Sequence, residues 1–405
     1  MTNAGDQGST GRYLVLLEDD AAAEGAQAMV QVAGIRAGSD ADVSGPITSA
    51  KVFDDVDGYL LHDLGVAVVT ADSDQVAALT RAVDEPGPIA RVEPERTVYA
   101  IAAPAPEAPG DHEERAVEAG QFDETEFTWG LQAVAAVDSE ATGAGIRVAV
   151  LDTGFDVNHP DFANRSAVTN SFIPGEDVQD GHGHGTHCIG TACGPRQPEV
   201  GPGYGVAYQT QIYAGKVLSN AGSGSDGGIL SGISWAVQHG CAVVSMSLGA
   251  ATRPGQPHSA VYEQIARRAM ERGTLIIAAA GNESRRSQGH IAPVGHPANC
   301  PTIMAVGAID VRRNIAEFSC GTVDAVGAVD LVGPGVDVHS SWPMPTRHRR
   351  ISGTSMATPH ASGIAALIAQ THRARGWELW ARLSQSALRL PLPSTDVGAG
   401  LVQAP

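Results

Sequence analysis

The sequence predicts an α/β protein: a parallel sheet with helices on both faces, preceded by a small α+β unit of ferredoxin-like order. Three observations predict it. From about residue 128 onward, runs that are apolar at nearly every position ("IRVAVLDTG", "AVVSMSLG", "TLIIAAAGN", "TIMAVGAI") alternate with helical stretches. Strands without a polar face must be covered on both sides, which helical crossovers do in a parallel sheet. Residues 12–100 instead read as strand, helix, strand, strand, helix, strand. Charge separates the two parts as well. Residues 1–103 hold 17 Asp and Glu against 6 Lys and Arg, residues 104–127 hold 8 against 1, and residues 128–405 hold 20 against 19. Most of the formal charge of −19 therefore lies in the first third.

Taken in order, residues 1–11 read as a flexible N-terminus. "RYLVLLED" is β-prone, "AAAEGAQAMVQVAGIR" is Ala-rich and helical, and "ITSAKVFDDVDGYLLHD" is a strand region broken by acids. "GVAVVTA" is a strand, Asp74 is expected to cap the helix "QVAALTRAV", and "IARVEPERTVYA" closes the unit at residue 100. Residues 101–127 are rich in Pro, Ala and acids with little periodicity, the composition of an exposed linker. In residues 128–405 the helices are "GGILSGISWAVQHG", "SAVYEQIARRAMERG" and "SMATPHASGIAALIAQTHRAR".

A chain of 405 residues, 43% hydrophobic, can bury a large core in two folding units. It carries no basic stripe for nucleic acid and no run of membrane-spanning length, so neither partner is expected, and a monomer is. The N-terminal "MTNAGDQGSTGRYLVLLEDD" lacks the basic and apolar regions of a secretory signal. Cytoplasmic location is the default, and secretion the alternative if the true start lies upstream. The five cysteines are expected as thiols; Cys188 and Cys193 point to different helix faces, and Cys300 and Cys320 could pair only in an oxidising compartment.

Chemistry concentrates in "DGHGHGTHCIGTACG", residues 180–194, which holds three histidines and two cysteines. A metal cluster and an acid–base histidine are the competing readings. Asp152 directly follows four apolar strand residues, where a carboxylate is costly to bury unless paired. Ser355 precedes a long apolar helix, where N–H groups and the dipole favour developing negative charge. Asn282 lies just past a strand, with an amide that could stabilise an oxyanion. Alone, each has an ordinary use: a strand-end cap, a helix N-cap and a turn residue.

Together they have the order Asp, His, Ser, and "VAVLDTG", "GHGTHCIGT", "AAAGNE" and "SGTSMATPHASG" resemble the signature blocks of the subtilases. The resemblance spans essentially all of 128–405. It implies a subtilisin-like catalytic domain and a serine endopeptidase working through an acyl-enzyme. Asp152, His184 and Ser355 would be the triad, and Asn282 the oxyanion-hole donor. His187 matches a structural position, His182 is expected as a solvated loop residue, and the metal reading falls away. Cys188, beside the base, would make the enzyme sensitive to thiol-binding heavy metals. Gly222, Ser223 and Gly224, and Ser247, Leu248 and Gly249, match two segments that pair with an extended peptide. Gly295 matches the floor of the primary specificity pocket, which would admit large apolar residues, with Glu283 at its rim.

Residues 12–100 resemble an inhibitor-type propeptide, removed by self-cleavage within about 97–127, and the protein's own N-terminal unit is thus an expected partner. Its acidity would make release depend on salt. No cofactor is required on this reading. Structural calcium is common in the family, and Asp161 in "HPDF" matches one ligand position, but the accompanying Asn-rich loop is replaced by "PRQPEVGPG". No metal ligand is therefore assigned. The alternatives are a dedicated cytoplasmic processing protease for one precursor, and a latent form whose propeptide stays bound.

Overall fold

A computed structural model describes residues 9–42, 56–101 and 122–405. The expected flexible N-terminus and linker lie mostly outside the described residues, although the first strand already begins at Ser9.

The first unit comprises β1 (Ser9–Leu17), α1 (Ala22–Ala33), β2 (Ala37–Ser39), β3 (Gly58–Leu61), β4 (Val66–Thr70), α2 (Ser73–Val83) and β5 (Ile89–Ala100). Its strands run in the order β5-β1-β4-β3, each pair antiparallel, with β2 added parallel at the edge of β3. This is the ferredoxin-like arrangement the element order predicts. Helix α2 is capped by Asp72 and not by Asp74. The Asp72 carboxylate accepts the N–H groups of Asp74 and Gln75 while the Gln75 side chain returns to the Asp72 N–H.

The alternation of side chains along these strands explains their apolar composition. Val15, Leu17, Leu60, Ala67 and Val69 pack in a core with Met29 and Leu79 of the two helices. Leu14, Leu16, Leu61, Val66 and Val68 face the other way and join the core of the larger unit. Both faces of the small sheet are therefore covered.

The larger unit begins with α3 (Trp129–Ala133), β6 (Arg147–Asp152), β7 (Ala167–Ser171), α4 (His184–Cys193) and β8 (Gln211–Lys216). Next come β9 (Ser223–Ser225), α5 (Asp226–Gln238), β10 (Val243–Met246), β11 (Leu248–Gly249), α6 (Ala260–Glu271), β12 (Leu275–Ala279) and β13 (Met304–Ile309). It ends with β14 (Leu331–Pro334), β15 (Val338–Ser341), β16 (His348–Ile351), α7 (Thr354–His372), α8 (Gly376–Ser386) and α9 (Ser394–Val397). Seven strands pair in the order β14-β13-β12-β10-β6-β8-β7, all parallel. From β6 the chain fills one side first, with β7 at the edge and β8 returning beside β6, and then builds outward on the other side through β10, β12, β13 and β14. Asp152 thus ends the strand at the topological switch point, where open α/β sheets bind ligands. No helix among the described residues is long and apolar enough to cross a membrane.

The two units meet at helix ends. Ser225 and Ser259 cap α5 and α6, and acids of β5 add to both caps. The Glu93 carboxylate accepts from Ser259 Oγ at 2.6 Å and the Ala260 N–H at 2.9 Å. Glu95, fully buried, accepts from the Gly227 N–H and from Arg12 Nε, each at 2.8 Å. Carboxylates at helix N-termini are favoured by the exposed N–H groups and the dipole. These two fix where β5 leaves the small sheet. Beyond them it lies antiparallel to β9 on one side and β11 on the other.

Candidate active site

Asp152 and His184 are each 1% exposed, with Asp152 Oδ1 2.8 Å from His184 Nδ1. The same oxygen accepts the Thr153 N–H at 2.7 Å. Burial opposes a charge on the His184 ring, but the neighbouring Asp152 carboxylate outweighs it and carries its pKa well above the ordinary value. His184 Nε2 is buried and has no hydrogen-bond partner among the described residues.

His184 opens α4, and Asp180 sets that helix start. The Asp180 carboxylate accepts the N–H groups of His182, Gly183 and Thr186. It also accepts the hydroxyl of Thr153, whose oxygen in turn receives the Gly185 N–H at 2.8 Å. Lys216 Nζ, fully buried, donates to the Thr153 carbonyl and to Asn220 Oδ1, and lies 3.3 Å from Glu176. Sequence reasoning missed Asp180 and Lys216. An acid four residues ahead of the helix start was the available signal for the first.

Ser355 is the second residue of α7, a helix buried from Thr354 through Ala369. Pro359 has no N–H to return to the Ser355 carbonyl four residues back. That carbonyl accepts Ser247 Oγ at 2.8 Å instead, with Cys188 Sγ at 3.6 Å. The Ser355 hydroxyl donates to the carbonyl of Ile101, just past the end of β5, and lies 3.2 Å from the Ser247 carbonyl. It is thus turned toward the strand and not toward His184. Asn282 Oδ1 accepts both the N–H and the hydroxyl of Thr354 at 2.9 Å, which leaves Nδ2 aimed at the Ile101 carbonyl, 3.2 Å away. A β-carbon on Gly353 would come within 3.2 Å of that carbonyl oxygen.

The two expected peptide-binding segments flank the same strand. Val98 pairs with Gly224 and Tyr99 with Ser223 on one side, and Ala100 with Leu248 and Tyr99 with Gly249 on the other. The Ala100 N–H donates to the Gly222 carbonyl at 2.9 Å, and the Ile101 N–H to the Ser247 carbonyl at 3.3 Å. A β-carbon on Gly249 would meet Ile101 Cδ1 at 3.0 Å, so Ile101 packs where the absent side chain leaves room. The Gly295 N–H donates to Ala280, and a β-carbon at Gly295 would stand 3.0 Å from the Ala250 carbonyl. Glu283 accepts a hydrogen bond from Cys320 at 3.1 Å.

The three histidines of the motif do not converge. His187 Nε2 lies 3.0 Å from the Val338 carbonyl, and burial pushes its pKa down to about 3. His182 departs from the solvated residue expected: it is half-buried, edge-on to His184 at 6.2 Å between ring centres, with Nδ1 buried. Asp152, His184 and Cys188 do bring three ligand atoms within 4.8 Å of one another, all buried. Burial also raises the Cys188 thiol's pKa and keeps it protonated. All five cysteines are buried and unpaired, Cys300 and Cys320 included.

The donors around Asp161 do not fit calcium. Its buried carboxylate already accepts from Arg347 Nη2 at 2.8 Å on one oxygen, and from Tyr204 Oη and His348 Nε2 at 2.7 Å each on the other. Calcium needs six to eight oxygen ligands. Here a guanidinium stands against the carboxylate, and Glu199, 3.1 Å away, meets the same Arg347.

A buried carboxylate–imidazole pair, a hydroxyl at a helix N-terminus and an amide aimed at one carbonyl define a hydrolase that attacks acyl carbon, built at the switch point of a parallel sheet. Sequence comparison agrees. The Subtilase family pattern matches residues 143–397. Subtilisin Savinase of Lederbergia lenta is 41% identical over 284 residues, which is 68% of this chain and 96% of that one. M-protease of Shouchella clausii (strain KSM-K16) is 40% identical over 276 residues, 67% of this chain and 65% of that one. The chain belongs to the subtilase family and is a subtilisin-like serine protease.

Burial alone would raise the Asp161 pKa, but its bonds to His348, Tyr204 and Arg347 hold it far below the ordinary 3.8. Its stabilising contribution is therefore complete above pH 3.8 and is lost as pH falls below it. Asp161→Asn should cost about 2–4 kcal/mol of unfolding free energy at neutral pH. In denaturant titrations, added calcium should not restore the loss, and the gap from wild type should close on acidification.

Proposed function

We propose that the chain is made as a precursor, cuts its own backbone between Ile101 and Ala102, and is held inhibited by residues 12–100 until that unit leaves. One observation carries the reading: the carbonyl of Ile101 faces both the Ser355 hydroxyl and Asn282 Nδ2. The strand leading to it is hydrogen-bonded on both edges, which is how an extended peptide would be held for cleavage.

In this mechanism Ser355 Oγ attacks the Ile101 carbonyl carbon and its proton passes to His184 Nε2, the ring nitrogen with no other partner. The hydroxyl must first turn from the carbonyl oxygen toward the ring. Asp152 holds the imidazole through Nδ1 and stabilises its charged form. The oxyanion is taken by Asn282 Nδ2 and the Ser355 N–H. His184 returns the proton to the amine of Ala102 as the C–N bond breaks, leaving an Ile101 acyl-enzyme. Water, deprotonated by the same ring, releases the Ile101 carboxylate and restores Ser355. Other protein substrates would bind through Gly222–Gly224 and Ser247–Gly249, with an apolar residue over Gly295 at the position of Ile101.

Intact-mass spectrometry tests this directly. Wild type should yield a chain beginning at Ala102 and take one fluorophosphonate adduct, while Ser355→Ala stays full length and unlabelled. A wild-type chain that stays whole and takes no probe would favour the latent reading. Asn282→Ala should lower kcat by about 10²–10³, as in the general case of losing one oxyanion donor; a loss below about tenfold would remove Asn282 from that role. Activity needs a deprotonated His184, whose pKa is raised beside Asp152, so activity should rise with pH. The ascending limb of kcat/KM should have its midpoint above 6.5, histidine's ordinary value.

A further inference from the structure

Upstream of the residues beside the reacting carbonyl, β5 meets a charged group that the catalytic steps do not use. Asp226, the first residue of α5 and 1% exposed, accepts the backbone N–H of Arg96 on Oδ2 at 2.9 Å. Its Oδ1 lies 3.0 Å from Nε2 of His296, itself 3% exposed. With Nε2–H donating to Asp226, Nδ1 of His296 carries a lone pair, and Arg96 Nη1 donates to it across 3.1 Å. Carboxylate, imidazole and guanidinium thus form one line from the catalytic unit into the strand.

We propose that Asp226 and His296 form a binding subsite for a basic residue, arginine above all, at the sixth position before the bond cut. This rests on the endopeptidase reading and extends it from the chain's own strand to its substrates. Asp226 serves two purposes there. It holds the backbone N–H of the incoming residue, which any residue but proline can supply, and it fixes which ring nitrogen of His296 is left to accept. A guanidinium satisfies that nitrogen, whereas a carboxylate would face both a lone pair and the Asp226 charge. Glu93 and Glu95 belong to β5 and would leave with it, but Asp226 stays with the catalytic unit and keeps the site acidic.

The groups facing His296 are Arg96 from β5, Asp226 from α5 and the Tyr262 ring from α6, edge-on at 4.7 Å.

The test uses the self-processed enzyme and fluorogenic peptides carrying the strand sequence "ERTVYAI", with Arg, Gln or Glu at the sixth position from the cut. The Arg peptide should exceed the Gln peptide about tenfold in kcat/KM, the worth of one charge-assisted hydrogen bond. The Glu peptide should be poorer still. In Asp226→Asn and His296→Leu the Arg-to-Gln ratio should fall to near unity, and because it is internal to each enzyme, partial loss of activity does not decide it. Equal rates for Arg and Gln, or a ratio that survives both substitutions, overturns the proposal. If even the tetrapeptide "VYAI" is not cut, the endopeptidase reading fails separately. The subsite is then read in the uncut Ser355→Ala chain, where Arg96→Gln should speed amide exchange of β5 about tenfold. Unchanged exchange there overturns the proposal as well.

Discussion

A carboxylate at the end of the central strand of a fully covered sheet has no water to turn to, and most of the site follows from how Asp152 is satisfied. One of its oxygens accepts the Thr153 N–H and faces the His184 ring. The other is buried with no hydrogen-bond partner among the described residues. An isolated buried charge is expensive, so the chief compensation left is positive charge on the imidazole. This is why burial, which alone would depress the His184 pKa, loses to the neighbouring carboxylate. The ring is then held with its second nitrogen turned away from Asp152, buried and without a hydrogen-bond partner among the described residues. Thr153, Asp180 and Lys216 do for the loop what Asp152 does for the ring. Thr153 and Asp180 link the end of β6 to the start of α4, and Lys216 holds the Thr153 carbonyl, so the carboxylate and the imidazole cannot drift independently.

Helix α7 solves a different problem. A nucleophile at a helix N-terminus gains from free N–H groups, but it must not move when its hydroxyl does. Pro359 removes the N–H that would hold the Ser355 carbonyl inside the helix, and Ser247 supplies the missing donor from the strand segment that also receives the Ile101 N–H. The seat of the Ser355 hydroxyl and the edge that receives the end of β5 are thereby tied to one residue. Asn282 is oriented in the same economical way: Thr354 takes its oxygen, so the nitrogen has only the strand carbonyl to address.

How much of this was legible depended on sequence distance. The sheet, the long helix and the four central residues lie in local patterns, and local patterns survive in a single sequence. The two flanking segments were legible for the same reason. What escaped were contacts between residues far apart. Arg347 and His348 reach Asp161 from 186 and 187 positions away, and nothing near "HPDF" announces that a guanidinium takes the place expected for a metal. The misplaced cap of α2 was avoidable, since Gln75 stands three residues after Asp72 and not after Asp74. His182 has no role in the family motif and is therefore expected in solvent, whereas Asp180 folds that loop inward. The proposed cut could be narrowed only to about thirty residues because a linker without periodicity carries no register.

Strand β5 belongs to two sheets at once, and this shapes the energetics of the proposed processing. Its first half is paired with β1 and anchored at two helix ends by Glu93 and Glu95; its last residues lie between β9 and β11. A free peptide entering that cleft must give up about 1–2 kcal/mol of backbone entropy per ordered residue. Here the small sheet has already fixed the direction and register of the strand, so the same contacts hold it far more firmly. Cutting after Ile101 would remove one covalent link but none of these interactions. The new carboxylate would stay beside Ser355 and Asn282, and the product would remain an inhibitor. Release then depends on loosening the anchors themselves, the two helix-end carboxylates and the Arg96–His296–Asp226 line, and not on the chemistry at the carbonyl.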